Sequence, residues 1–186
     1  MTDFQFDLRH HDAADARRLL DTLISVQQEI YANTEPREFF TEDRYRRQIT
    51  GHMTAPGWEL VAAYTPDGEM IGYAYGFPLQ AGSGWWQGML TQVPDEQLRE
   101  TGTRTFALSE LMVRRPWRSK GVGRALHDEL LSRRREERAT LLVMPDNTAA
   151  KAAYARWGWT GLGQLRPSWE GAPTLEALVL PLSVSR

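Results

Sequence analysis

The chain has 186 residues, 41% of them hydrophobic and 25% charged, and a net charge of -2. That length is most simply one domain with a real core. An ordinary globular composition with no apolar run near 18 residues argues against a membrane-spanning helix or a membrane partner. The lack of cysteine excludes disulfides, thiolate metal sites and a cysteine nucleophile, and the near-neutral charge argues against a general nucleic-acid binder. The opening MTDFQFDLRHHD has no basic region followed by an apolar one, so no secretory signal is expected and a cytoplasmic protein is.

Phe4, Phe6 and Leu8 alternate with Gln5, Asp7 and Arg9 and predict a first strand. Asp12 is placed to cap a helix over residues 13–32, whose Ala16, Leu19, Leu20, Leu23, Ile24, Ile30 and Tyr31 recur at helical spacing. Residues 33–37, with Pro36, break it. Thr41, followed by Glu42 and Asp43, starts a second helix carrying Tyr45, Ile49 and Met53 on one face, ended at Ala55-Pro56-Gly57. Two strands, 58–64 and 70–77, flank the turn Pro66-Asp67-Gly68. In the second, Ile71, Tyr73, Tyr75 and Phe77 share one face; Gly72, Ala74 and Gly76 on the other allow a close approach.

Residues 79–104 form the least regular stretch, with Trp85 and Trp86 adjacent and a short helical candidate over 93–100. A connection this long is expected to be a lid or binding loop inserted in the domain. A strand over 105–113 then leads through a basic loop into an amphipathic helix with Val122, Ala125, Leu126 and Leu130 on one face. Residues 132–139 are its polar end. An apolar strand over 140–144, a helix over 147–157 closed by Gly158, and strands over 160–165 and 175–182 complete the chain.

Chemistry concentrates at the junction of the 105–113 strand and the helix behind it. Gly121 and Gly123 open that helix among Arg114, Arg115, Arg118, Lys120 and Arg124. A helix start offers unpaired N–H groups and a positive dipole end, and glycine lets an anion approach the main chain. The pattern is neither a P-loop, since Gly121 precedes Val122, nor a dinucleotide fingerprint. About 30 residues on, Asn147, Ala150, Tyr154, Gly158 and Trp159 form a second pattern, Asn-x-x-Ala-x-x-x-Tyr-x-x-x-Gly-aromatic. With Arg118-x-x-Gly121-x-Gly123 and the strand between, it resembles the GNAT superfamily of acetyl-CoA-dependent N-acetyltransferases. The resemblance is specific over residues 108–159; the first hundred residues match in element order. Trp159, where phenylalanine is commoner, and the length of 79–104 are departures.

The resemblance implies an α/β (α+β) fold: a mixed, splayed sheet of about seven strands flanked by about four helices in a single domain, with acetyl-CoA as acyl-donor cosubstrate in the splay. The main chain of Leu111, Met112 and Val113 would track the pantetheine arm, and Arg118, Ser119, Lys120, Gly121, Val122, Gly123 and Arg124 would hold the pyrophosphate, with Asn147 and Tyr154 completing the cofactor set. Lys151 or Arg156 would approach the adenosine phosphate or be ordinary helix-surface charge.

Amine acetylation must remove a proton from the ammonium, stabilise an oxyanion and protonate the departing thiolate. Glu110, in parity with Phe106, Leu108 and Met112 on an apolar strand, is the candidate base, and burial would raise its pKa; the alternative is a structural carboxylate. Tyr154, a phenol protonated at neutral pH, is the candidate acid, and otherwise a core aromatic. Trp85, Trp86, Tyr75 and the 33–40 segment with Phe39 are candidate acceptor-site walls, the tryptophans equally packing residues or a dimer contact. His10, His11, His52 and His127 lack metal-ligand spacing and are expected as surface or capping residues, so no metal is expected. The expected activity is direct transfer from acetyl-CoA to a primary amine of a small molecule or peptide. Another acyl group or a hydroxyl acceptor, and a non-catalytic CoA-binding module, are the alternatives. Pairing as a homodimer stays open.

Overall fold

A computed structural model describes residues 5–35 and 37–182; Phe4 and Pro36, assigned above to the first strand and the helix break, lie outside them. Seven strands follow the sheet order β1-β2-β3-β4-β5-β7-β6, and the chain divides into two compact units.

The first unit comprises Met1–Phe77 and Ser109–Arg133. Its strand β1 is Asp7–His11, shifted towards the C-terminus from the expected position. Register explains the shift: β1 pairs antiparallel with β2 (Glu59–Tyr64), Asp7 opposite Tyr64 and His11 opposite Leu60. His10 is accommodated there because its Nδ1 meets Glu59 Oε1 at 2.5 Å and its Nε2 meets Glu129 Oε1 at 2.7 Å.

The single expected helix is two, α1 (Ala13–Arg18) and α2 (Leu20–Tyr31), broken where Leu19 adopts φ -97°, ψ 3°. Apolar spacing continues across the break, with Ala16 on one side and Leu23, Ile24 and Val26 on the other all buried, so periodicity alone cannot reveal it. Asp12 caps α1 as expected, accepting from the Asp15 N–H at 2.8 Å. A 3₁₀ turn, Arg37–Phe40, precedes α3 (Glu42–His52), capped by Thr41. Strand β3 (Met70–Pro78) pairs antiparallel with β2, Leu60 opposite Tyr75 and Ala62 opposite Tyr73. Leu23, Ile24, Val26, Tyr45, Ile49, Met53, Tyr73 and Tyr75 belong to one hydrophobic cluster with the strand residues Leu60, Ala62 and Met112, which holds α2 and α3 on the sheet.

Strand β4 (Thr105–Val113) runs through both units, and its later half leads through the 3₁₀ turn Arg115–Trp117 into α5 (Val122–Ser132). Gly72 is required by packing: a methyl group there would meet the Met112 carbonyl oxygen at 2.5 Å and Val113 Cα at 3.1 Å. The small-residue face of β3 therefore admits the neighbouring main chain, with Leu126 of α5 behind it at 3.4 Å.

The second unit comprises Pro78–Leu108 and Arg134–Arg186. It contains a short α4 (Asp95–Leu98), the first half of β4, β5 (Arg138–Val143), α6 (Thr148–Arg156), β6 (Thr160–Leu165) and β7 (Leu175–Pro181). Parallel pairing of β4 with β5 spans Thr105↔Arg138, Phe106↔Ala139 and Ala107↔Thr140; β7 lies antiparallel to both β5 and β6. Strand β5 starts two residues before the expected Thr140 because Arg138 has polar partners, its Nε donating to Thr105 Oγ1 at 2.9 Å and its guanidinium lying over Trp86.

The 79–104 segment is fastened at both ends. Trp86 Nε1 donates to Glu100 Oε1 at 2.8 Å, and the segment lies along β6 through Leu90 N–H to Gln164 O at 2.8 Å and Arg166 N–H to Gly88 O at 2.9 Å. Among the described residues no helix is long and apolar enough to cross a membrane.

Candidate active site

Glu110 leaves β4 towards α3, where Gln48 Nε2 donates to its Oε1 at 2.8 Å. Burial raises its pKa from 4.5 to about 7, against the Gln48 hydrogen bond, which pulls the other way. A half-buried carboxyl in that range takes and releases a proton near neutral pH, as a general base must.

Around it lies a polar group within the apolar core. Tyr75 is fully buried; its hydroxyl meets His52 Nδ1 at 3.1 Å, and Ser109 Oγ meets the same nitrogen at 3.2 Å. Tyr45 and Tyr73 share a hydrogen bond at 2.7 Å, and Tyr73 donates on to the Leu23 carbonyl at 3.0 Å. Burial pushes all three phenols above their ordinary pKa and lowers His52 to about 4, so at neutral pH Glu110 is the group of this cluster that titrates. Successive residues of a regular strand point to opposite faces, yet Ser109 and Glu110 both reach α3, the behaviour of a bulge.

Sequence reasoning missed Gln48 and expected His52 as a surface or capping residue. The signal was present: 45, 48, 49 and 52 recur at the spacing of one helix face, so two polar side chains stand on the stripe that Tyr45 and Ile49 bury.

Beyond Val113 the chain builds a helix start with open main-chain donors. Gly121 is the N-cap of α5 at φ 83°, ψ -7°, with no side-chain cap, and a methyl group added there would meet nothing within 4 Å. Its carbonyl accepts from the Ala125 N–H at 3.0 Å, so the first N–H groups of the helix lack helical acceptors and point outward. Ser119 holds φ 59°, an uncommon left-handed conformation for a non-glycine residue. Main-chain donors, a helix dipole and open space fit a pyrophosphate.

The five basic residues divide. Arg114 is tied into the fold, its Nε donating to Met70 O at 2.9 Å and its Nη1 pairing with Glu29. Arg118 donates through Nε to Val113 O at 3.0 Å, which steadies the loop. Arg124 pairs with Asp128 at 2.6 Å, and Lys120 Nζ lies 5.0 Å from the Trp117 ring. Arg115 is exposed.

In the second unit Tyr154 is nearly buried on α6, edge-on to Trp157 and Trp159 with ring centroids at 5.7 and 5.8 Å. Asn147 caps α6 by accepting from the Ala150 N–H at 3.2 Å. Lys151 is engaged with Glu176 at 2.8 Å and with Pro145 O at 3.2 Å. Trp86 is buried against Glu100 and Arg138, and Trp85 stands beside it in the 3₁₀ turn Gly84–Trp86. Phe39, in the first unit, carries the Arg44 guanidinium 5.0 Å from its ring. Among the described residues no cluster of three or more His, Asp and Glu could hold a metal.

A buried strand-borne carboxyl raised towards neutrality, followed by a glycine-opened helix start, is an arrangement an acyltransferase can use. The sequence match is in accord: the acetyltransferase (GNAT) family matches residues 20–159, and the chain belongs to that family. No curated protein matches significantly.

Solved structures share the fold. PH1933 from Pyrococcus horikoshii OT3 is similar at TM-score 0.68 and 18% identity, covering 96% of this chain and 99% of that one. An acetyltransferase from Thermus thermophilus is similar at TM-score 0.62 and 21% identity, covering 98% and 100%. Nourseothricin acetyltransferase is similar at TM-score 0.52 and 23% identity over 69% and 67%.

Proposed function

We propose that this enzyme moves an acetyl group from acetyl-CoA directly to a primary amine of a small molecule or peptide, in a ternary complex and in the cytoplasm. The observation that carries the reading is Glu110: a half-buried carboxyl held by Gln48, raised to about 7, three residues before the end of the strand that feeds the anion-binding helix start. The cosubstrate supplies an activated acetyl group on a thiolate leaving group.

Leu111, Met112 and Val113 track the pantetheine arm through their main chain, as an added strand would. Val113 is the last residue of β4, and the β4–β5 pairing stops at Ala107, which is consistent with that role. Ser119, Lys120, Gly121, Val122, Gly123 and Arg124 hold the pyrophosphate through main-chain N–H groups, with Arg118 bracing the loop. Glu110 accepts a proton from the acceptor ammonium, so that the neutral amine attacks the thioester carbon. A main-chain N–H near Met112 or Val113 donates to the developing oxyanion. As the carbon–sulfur bond breaks, the Tyr154 phenol gives its proton to the departing thiolate, whose conjugate acid has a pKa near 8.5. Direct transfer is favoured because the sequence lacks cysteine and, among the described residues, burial makes His52 too weak a base to activate Ser109.

A panel of primary amines assayed for release of CoA from acetyl-CoA tests this. Turnover with at least one amine, lost in Glu110→Gln and Tyr154→Phe while CoA still binds, is the expected result. A parent enzyme that neither releases CoA with any amine nor gains thermal stability from acetyl-CoA would overturn it.

A further inference from the structure

Glu110 is held by one residue of α3, and the chemistry of that residue is informative. An ionised carboxylate only accepts hydrogen bonds, whereas a glutamine amide carries both donors and an acceptor. Gln48 presents its NH₂ to Glu110 Oε1 at 2.8 Å, one turn of α3 before His52, whose Nδ1 lies 3.1 Å from the buried Tyr75 hydroxyl.

We propose that Gln48 is the positioning residue of the catalytic base: it selects the oxygen and rotamer that Glu110 presents to the acceptor, and it releases that hold when the carboxyl takes up the proton. The proposal rests on Glu110 being the base.

A neutral donor suits this position. An arginine or lysine beside a carboxylate drives its pKa down by about one to three units, leaving a base too weak for an ammonium. Leaving the carboxylate with no donor would free it to turn among rotamers. The other groups facing Glu110 are neutral near pH 7: Tyr45 and His52 from α3, Tyr73 and Tyr75 from β3, and Ser109 on its own strand. Among the described residues the hydrogen bond to Glu110 comes from Gln48, so replacing Gln48 removes that contact.

The same α3 face places His52 one turn from Gln48, where it holds Tyr75 and Ser109. Two successive turns of α3 thereby fix two successive residues of β4. A helix so placed transmits its register directly to the base.

The test uses Gln48→Met, which keeps length and removes the donor, and Gln48→Glu, which adds a second carboxyl. Titration of Glu110 is followed by carboxyl carbon NMR in the ligand-free protein, and the acid limb of kcat/KM is measured with an accepted amine. Gln48→Met should move both upward by about one unit, the worth of a hydrogen bond to a charged group. It should lower kcat about tenfold or more at pH values where Glu110 is fully ionised, and leave the KM for acetyl-CoA unchanged.

Gln48→Glu should split the titration into two steps more than about one unit apart. A Glu110 titration unchanged in Gln48→Met, or a single unsplit step in a folded Gln48→Glu protein, would overturn the proposal. The two readings separate cleanly: shifted titrations in a protein without turnover refute the base and leave the hold of Gln48 on Glu110 standing. Unshifted titrations with turnover intact refute the role of Gln48 alone.

Discussion

Replacing Glu110 with glutamine should abolish turnover and at the same time stabilise the protein, and the two effects have one cause. The carboxyl ordinarily titrates at 4.5 and in the fold at about 7, so between those values the native state binds a proton that the unfolded chain has released. Stability then falls as pH rises through that window, because native protons exceed unfolded ones. Above pH 7 the full penalty applies, on the order of 3 kcal/mol at about 1.36 kcal/mol per unit. Glutamine keeps the shape, has no charge to desolvate, and can still pair with the Gln48 amide.

For a chain of 186 residues about 3 kcal/mol corresponds to a thermal midpoint raised by about 6 to 12 °C. The assay is the midpoint of parent and Glu110→Gln from pH 4 to pH 9 by circular dichroism. The variant's advantage should be near zero at pH 4.5, grow to pH 7 and stay flat above. An advantage absent at pH 8, or equally large at pH 4, would refute the assignment of a raised pKa to Glu110. Loss of activity should be about 10²- to 10⁴-fold, the usual contribution of a general base.

His52 has the opposite sign. Its folded value of about 4 lies below the ordinary 6.5, so the unfolded chain binds the extra proton and stability is lost as pH falls from 6.5 towards 4. His52→Gln should lack that loss, so the variant's midpoint should gain on the parent's as pH falls from 6.5 towards 4. Gly72→Ala should push the Met112 carbonyl, 2.5 Å from the new methyl, at a cost of about 1 to 3 kcal/mol. Affinity for CoA should weaken with it, as read by titration calorimetry; unchanged affinity would remove Met112 and Val113 from the pantetheine track. Tyr154→Phe should lower kcat, flatten its decline at high pH and leave the Kd of acetyl-CoA within about twofold; a variant as fast as the parent would dismiss the phenol as acid.

The sequence exposed most of what regular periodicity can carry. Strands β4 and β6 fall at their expected residues, and Asp12 and Thr41 cap helices as their side-chain chemistry dictates. The glycine-opened α5 and the acidic residue in β4 were legible because both break a local rule: a helix without a side-chain cap, and a charge in an apolar run.

What was not legible depends on contacts distant in sequence. The α1–α2 break at Leu19 preserves the apolar spacing and so leaves no trace in it. Strand β1 was displaced because the alternation over residues 4–9 says nothing of His10, which Glu59 and Glu129 make tolerable from far along the chain. Gln48 stood on a legible helix face, but its partner Glu110 lies 62 positions away. Arg114 likewise counted as part of a basic cluster, whereas Met70, Ile71 and Glu29 make it a latch.

The central claim is that Glu110 deprotonates an amine that then takes the acetyl group directly. Its most direct test is rapid quench of the enzyme mixed with acetyl-CoA, with and without an accepted amine, resolving free CoA, acetylated amine and protein mass. CoA and acetylated amine appearing together in equal amounts, only when the amine is present and at no measurable rate in Glu110→Gln, is the predicted result. A burst of CoA without amine, accompanied by an acetyl group on the protein, would contradict direct transfer.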